Sequence, residues 1–160
     1  MKHLISVEVE NRFGILARIV SLFSARGFNI DSLTVGETED STISRITIVV
    51  PGDNSVIEQV IKQLRKLINV IKVVDFTQEE TITRELVMVR VNARGRDRDE
   101  IIRLVEIFRA RILDVHPESF TIEVTGGEEK INGILTLLKP FGMKKLVRTG
   151  KIAMIREGKI

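Results

Sequence analysis

The chain has 160 residues, of which 43% are hydrophobic, and its 25 basic and 22 acidic side chains leave a net charge of +3. This length is sufficient for one medium-sized domain or two small ones with packed cores. The absence of cysteine excludes disulfides, thiolate nucleophiles and cysteine-based metal sites. No apolar run has the length of a membrane span, and Glu8 and Glu10 stand where a signal peptide would have its apolar centre, so we expect a cytoplasmic protein.

The first half of the chain predicts the order strand, helix, strand, strand, helix, strand. Alternating apolar residues indicate the strands, and apolar residues at helical spacing indicate the helices. Gly27 is a helix-ending signal, Pro51-Gly52 breaks a strand, and Asp53 or Ser55 is expected to cap the second helix. The predicted strands lie near 3–10, 29–37, 43–50 and 70–77, and the helices near 15–25 and 54–67.

The second half repeats this order after the polar segment 78–83, which we interpret as a linker. Helices are expected to begin at Asp97 or Asp99 and at Gly126-Gly127, and Pro140 ends the second one. The predicted strands lie near 86–93, 111–115, 120–125, 145–148 and 152–155. We therefore predict an α+β protein with two ferredoxin-like βαββαβ domains, over residues 1–77 and 84–160.

In this fold the helices cover only one face of each four-stranded sheet. The opposite face of the first domain is expected to carry the apolar residues Leu4, Leu33, Val35 and Val49. A half-covered apolar face suggests pairing with another chain. The edge strand after Asn29 is a second candidate for such pairing, because unpaired strand edges attract partners.

The sequence has no pattern typical of a catalytic or metal site. His3 and His116 lie far apart and lack metal-ligand spacing, and there is no phosphate-binding loop of the Walker type. Ferredoxin-like sheets also bind RNA, but they need aromatic residues on the central strands. The chain has no Trp, no Tyr and only 7 Phe, and the predicted central strands of the first domain, near 5–9 and 46–50, contain none of them, which argues against that class.

The junction around Asn11 and Gly14 is the candidate binding site. It lies between an apolar run that alternates and one with helical spacing, so a helix is expected to begin there. The first N–H groups of a helix have no partner within it, and they suit an anionic group such as a carboxylate. Asn11 and Asn29 add donors and acceptors. This pattern predicts a sensor site for an amino acid, although it is also compatible with a plain turn in which Asn11 caps the helix.

Two blocks of sequence are more specific than this pattern: LISVEVENRFGILAR at 4–18 and LFSARGFNIDSLTV at 22–35. They closely resemble the regulatory small subunit of acetohydroxyacid synthase, also called acetolactate synthase. Segments 63–67 and 107–115 agree with this family as well, so the resemblance covers essentially the whole chain. A generic ACT domain would share the Gly14 region but not the run 27–33.

The resemblance implies an N-terminal ACT domain, a C-terminal ACT-like domain, and a homodimer formed through the ACT domains. It implies a non-catalytic subunit without a cofactor or metal of its own, which activates a catalytic large subunit and confers feedback inhibition by valine or another branched-chain amino acid. That partner would use thiamine diphosphate, Mg²⁺ and FAD to make 2-acetolactate and 2-aceto-2-hydroxybutyrate from pyruvate. The alternative is a stand-alone ACT-type sensor that regulates another enzyme or transcription. The whole-length match and the absence of a helix-turn-helix segment favour the regulatory subunit.

The family's effector motif falls on five positions of this chain, to which we add one apolar neighbour. Backbone N–H groups around Gly14 would hold the effector carboxylate, and Asn29 of a second subunit would bond its ammonium or carboxylate. Gly14 is expected to be crowded. The expected effector-binding residues are Asn11, Gly14, Ile15, Leu16, Asn29 and Val35, with the apolar side chains around the branched side chain of the ligand.

Overall fold

The computed structural model describes residues 1–158. In this range the elements are β1 (Lys2–Glu10), α1 (Ile15–Ala25), β2 (Ser32–Glu37), β3 (Ile43–Pro51), α2 (Asn54–Leu64), β4 (Val70–Asp75), β5 (Thr81–Asn92), α3 (Asp97–Ile107), β6 (Arg111–His116), β7 (Ser119–Gly126), α4 (Glu128–Leu138), β8 (Met143–Arg148) and β9 (Ile152–Ile155). The antiparallel strands are ordered β2-β3-β1-β4 in one sheet and β6-β7-β5-β8 in the other. This order is that of two ferredoxin-like βαββαβ units and confirms the predicted fold class.

The core of the first unit lies between its sheet and the two helices α1 and α2. The alternation of β1 places Ile5, Val7 and Val9 in this core, and the helical spacing of α1 adds Ile19 and Phe23. The second unit has its own core, built in the same way from β5, β7, α3 and α4. The periodicity that predicts the elements therefore also predicts which of their faces is buried.

A side-chain cap fixes the start of α2. The Asp53 carboxylate accepts a hydrogen bond from the N–H of Val56 at 3.0 Å, and the Ser55 hydroxyl donates another at 2.7 Å. These bonds, the one from Ser55 first, lower the pKa of the Asp53 carboxyl because they favour its charged form. Of the two caps predicted for this helix, Asp53 is the one used.

Arg98 holds the turn between β6 and β7 in the second unit. Its Nη1 donates hydrogen bonds to the backbone oxygens of Ala93, His116 and Pro117 at 3.1, 2.9 and 3.0 Å. Its guanidinium also lies over the ring of Phe120, 4.4 Å from the ring centre. His116 is the last residue of β6, and Pro117 and Glu118 form the turn that follows it.

The chain crosses between two compact units twice. One unit comprises Met1–Ile82 with the segment from Lys151 onward, and the other comprises Thr83–Gly150. β5 begins at Thr81, so the strand starts earlier than the predicted residue 86 and takes in half of the segment interpreted as a linker. The physical reason is that β9, distant in sequence, pairs with β5, a partner that local polarity does not reveal.

The register of β2 corrects the predicted placement of two apolar residues. Leu33 pairs with Ile48 and Val35 pairs with Ile46. Since Ile46 and Ile48 belong to the core under the helices, Leu33 and Val35 lie on the helix side of the sheet and not on the opposite face. The prediction for these two residues is wrong because pairing with β3 sets the phase of β2, and this pairing is not visible in its short sequence.

Leu4 and Val49 do lie on the face opposite the helices, paired with each other. However, three residues of this face are buried within the single chain: Ser6, Thr47 and Val49 are only 5%, 4% and 4% exposed. The open apolar face expected to pair with another chain is therefore absent at these three residues. The edge of β2 remains as the surface proposed for pairing.

Candidate effector site

The junction between β1 and α1 is open and centres on Gly14. This residue has φ +81 and ψ −4, a left-handed conformation that favours glycine, and it is the N-cap of α1. A Cβ built on Gly14 would have no heavy atom of the described residues within 4 Å. The expectation of a crowded position is therefore wrong, and backbone conformation rather than lack of space explains the glycine.

The start of α1 carries backbone donors that no described side chain caps. The first turn comprises Ile15, Leu16 and Ala17, whose N–H groups lie at the positive end of the helix dipole. It contains no acidic residue, so an anion bound there would meet no negative charge within the turn. Such a helix start is suited to a carboxylate.

Asn11 lies beside this helix start but does not cap it. The alternative of a plain turn in which Asn11 caps the helix is therefore excluded. Its side-chain Nδ2 donates hydrogen bonds to Glu37 Oε1 at 3.1 Å and to the backbone oxygen of Ser41 at 2.9 Å. Its backbone N–H donates to the oxygen of Thr42 at 2.7 Å. These bonds fix Asn11 against the hairpin between β2 and β3.

Glu37 is a further candidate site residue, which its sequence neighbours do not reveal. It is the last residue of β2, and its bond to Asn11 brings a carboxylate to the junction. A carboxylate is the natural acceptor for the ammonium group of an amino acid. The signal that could have identified it is the predicted hairpin, which returns the chain to the end of β1.

The apolar candidates are divided between core and surface. Ile15 is 6% exposed and its side chain is part of the core, and its backbone N–H donates to the oxygen of Arg12 at 3.4 Å. Leu16 and Val35 are 40% and 44% exposed and leave apolar surface for a ligand. The site that the structure offers is thus a backbone and polar arrangement with a few exposed apolar side chains.

Asn29 does not lie at the same end of β2 as Asn11. It precedes the strand, where its Nδ2 donates to Asp31 Oδ1 at 3.1 Å, whereas Asn11 binds Glu37 at the far end. With a rise of about 3.3 Å per residue, the strand from Ser32 to Glu37 separates the two ends by about 16 Å. One protomer therefore does not bring the two asparagines together.

The junction presents groups that can bind a small polar molecule. Within residues 1–158, no three His, Asp or Glu side chains are placed to hold a metal ion. In the same range, no helix is long and apolar enough to cross a membrane. The groups at the junction can recognise a small zwitterion by its carboxylate and ammonium ends.

Comparisons with known proteins match both halves of the chain. The family described as "Small subunit of acetolactate synthase" matches residues 84–157, and the "AHAS small subunit-like ACT domain" matches residues 5–72. The acetolactate synthase small subunit of Aquifex aeolicus is 54% identical over 157 residues, which cover 98% of this chain and 82% of the relative. The probable acetolactate synthase small subunit of Archaeoglobus fulgidus is 56% identical over 159 residues, which cover 99% of each chain. The crystal structure of the acetolactate synthase small subunit from Thermotoga maritima superposes with a TM-score of 0.88 at 40% identity, over 99% of both chains.

Proposed function

The chain belongs to the family of acetolactate synthase small subunits, and we propose that it activates a catalytic large subunit and confers feedback inhibition by a branched-chain amino acid, with valine as the first candidate. The chain itself is a regulatory subunit and acts in the cytoplasm. The observation that carries the proposal is the open helix start at Gly14, with Asn11 and Glu37 beside it.

The two charged ends of an amino acid fit two different parts of this junction. The carboxylate binds the N–H groups at the start of α1, where the helix dipole favours an anion. The ammonium binds near the Glu37 carboxylate, which Asn11 orients at 3.1 Å. The exposed side chains of Leu16 and Val35 then surround the branched aliphatic group.

A symmetric dimer completes this site with Asn29. In the described part of the chain β2 is an edge strand, and its sequence lacks the lysine and proline that protect such edges. A two-fold axis across an antiparallel pair of β2 strands sets the start of one strand beside the end of the other. Asn29 of the partner subunit thus comes close to Asn11 and Glu37, a meeting that one protomer cannot provide.

The proposed site distinguishes branched-chain amino acids only modestly. One methylene in an apolar pocket is worth about 1–3 kcal/mol, so valine, isoleucine and leucine overlap as effectors. A coupling of about 1–3 kcal/mol between effector and catalytic subunit is sufficient for regulation.

Calorimetric titration of the isolated protein with valine, isoleucine and leucine tests the proposal. We expect saturable binding that is lost in Asn29→Ala and kept in Asn132→Ala, a control at an exposed asparagine of α4 in the second unit. Activity of the complex with a large subunit, measured with and without effector, tests regulation. Binding without any effect on the large subunit would favour the stand-alone sensor, and no binding by either the subunit or the complex would refute the site.

A further inference from the structure

The C-terminal segment 151–156, which we call the strap, returns to the first unit after the chain has completed the second. The backbone N–H of Lys151 donates a hydrogen bond to Ser32 Oγ at 3.2 Å, across 119 residues of sequence. At the other end, the N–H of Arg156 donates to the backbone oxygen of Glu80 at 2.8 Å, and their side chains form an ion pair at 3.4 Å. The strap is therefore bound at both of its ends.

One side chain of the strap is also buried. Ala153 is only 7% exposed, whereas its neighbours Ile152 and Met154 are 55% and 69% exposed. Unattached chain ends usually fray, because little holds them in place. Two hydrogen-bonded ends and a buried alanine between them distinguish this segment from such a tail.

Only one residue separates the strap from an anchor in the second unit. The N–H of Thr149 donates to the backbone oxygen of Leu86 at 3.1 Å, and the N–H of Leu86 donates to Thr149 Oγ1 at 3.1 Å. Gly150, with φ +93, then connects Thr149 to Lys151. Two residues of extended chain span at most about 7 Å, so Lys151 cannot move far without also moving Thr149.

The first anchor lies at the start of β2, close in sequence to Asn29, which the proposed dimer brings to the effector site of the partner subunit. Ser32 is the first residue of β2 and follows Asn29 by three positions. We propose that the strap is the connection through which effector binding at β2 acts on the second unit, because Gly150 joins the residue bound to Ser32 directly to the residue bound to Leu86. This proposal rests on the proposed function, from which it takes the effector.

A pair of aspartate substitutions on the strap tests this coupling in the complex with the large subunit. Ala153→Asp places a charge at the buried position and should unseat the strap, while Met154→Asp places the same charge at the exposed neighbour. In Ala153→Asp we expect valine to bind the subunit as in wild type and the large subunit to be activated normally. The valine concentration for half-inhibition should rise about tenfold or more, within the range of typical allosteric couplings. Met154→Asp should behave like wild type.

A measurement on the wild-type protein serves if Ala153→Asp does not fold. Hydrogen exchange with and without valine should show slower exchange at the amides of Lys151 and Arg156 when valine binds, because both amides hold the ends of the strap. Protection that appears at β2 but not at these two amides would overturn the coupling. So would a folded Ala153→Asp variant that valine inhibits with wild-type potency.

The two proposals fail in different ways. A wild-type protein that neither binds the three amino acids nor responds to them in the complex overturns the proposed function, and the coupling with it. A wild-type complex that valine inhibits, together with normal inhibition of Ala153→Asp, leaves the proposed function intact and overturns the role of the strap alone.

Discussion

Replacing Gly14 with aspartate perturbs the proposed effector site directly. Gly14 has φ +81, and a residue with a Cβ loses roughly 1–2 kcal/mol in the left-handed conformation. No steric penalty adds to this strain, because no heavy atom of the described residues lies within 4 Å of a Cβ built there. Typical domains have about 5–15 kcal/mol of stability, so we expect Gly14→Asp to stay folded.

The new carboxylate would occupy the start of α1, where the effector carboxylate is proposed to bind. Two like charges about 4 Å apart repel by about 1 kcal/mol in water and by about 4 kcal/mol at an effective dielectric constant of 20. Since 1.4 kcal/mol is about tenfold in Kd, the affinity for valine should fall by roughly fivefold to a thousandfold. Activation of the large subunit should remain, because this change leaves the fold in place.

Gly14→Asn is the matched control, since asparagine has nearly the same size, tolerates the left-handed conformation and carries no charge. Calorimetry with valine, inhibition of the complex and thermal melting should be measured for both variants. Gly14→Asn should bind valine more tightly than Gly14→Asp. An unchanged affinity of Gly14→Asp for valine would refute the site, and equal losses of affinity in both variants would contradict the placement of the effector carboxylate.

Two further predictions concern the stability of the first unit. Asp53→Ala should lower the urea midpoint at pH 7, because the cap of α2 is lost. The lowered pKa means that the Asp53 carboxylate stabilises the fold above its unfolded pKa of about 4 and loses this effect as the pH falls through the folded pKa. The difference in urea midpoint between Asp53→Ala and wild type must therefore disappear in acid. A gap that does not change with pH would contradict this. His3 is 1% exposed, and neither of its ring nitrogens has a hydrogen-bond partner among residues 1–158. An unsatisfied buried polar group costs about 1–3 kcal/mol, so His3→Leu should raise Tm, and a lower Tm would refute this account.

The fold could be predicted from the sequence because its determinants are local. Alternation in β1 and helical spacing in α1 each span a few residues, and they predict both the elements and the buried face. The family resemblance, carried by the blocks 4–18 and 22–35, is confirmed by two family matches that together span most of the chain. These signals need no knowledge of which strands pair.

The errors concern features that depend on pairing between distant segments. The predicted face of Leu33 and Val35 is wrong because the register with β3 decides their orientation. The early start of β5 depends on β9, which lies about seventy residues away. Glu37 was missed because its contact with Asn11 crosses 26 residues, whereas Gly14 could be identified from its neighbours alone.

The two proposals depend on the same six-residue strand. β2 ends at Glu37 beside the proposed site, and it begins at Ser32, which the strap contacts. In the described sheet β3 is its only neighbour, and an edge strand bonded on one side is easier to shift than a central one. A net hydrogen bond is worth about 0.5–1.5 kcal/mol. The gain or loss of two such bonds at Ser32 and Leu86 would match the coupling of about 1–3 kcal/mol that regulation requires, so the proposed mechanism needs no large rearrangement of either core.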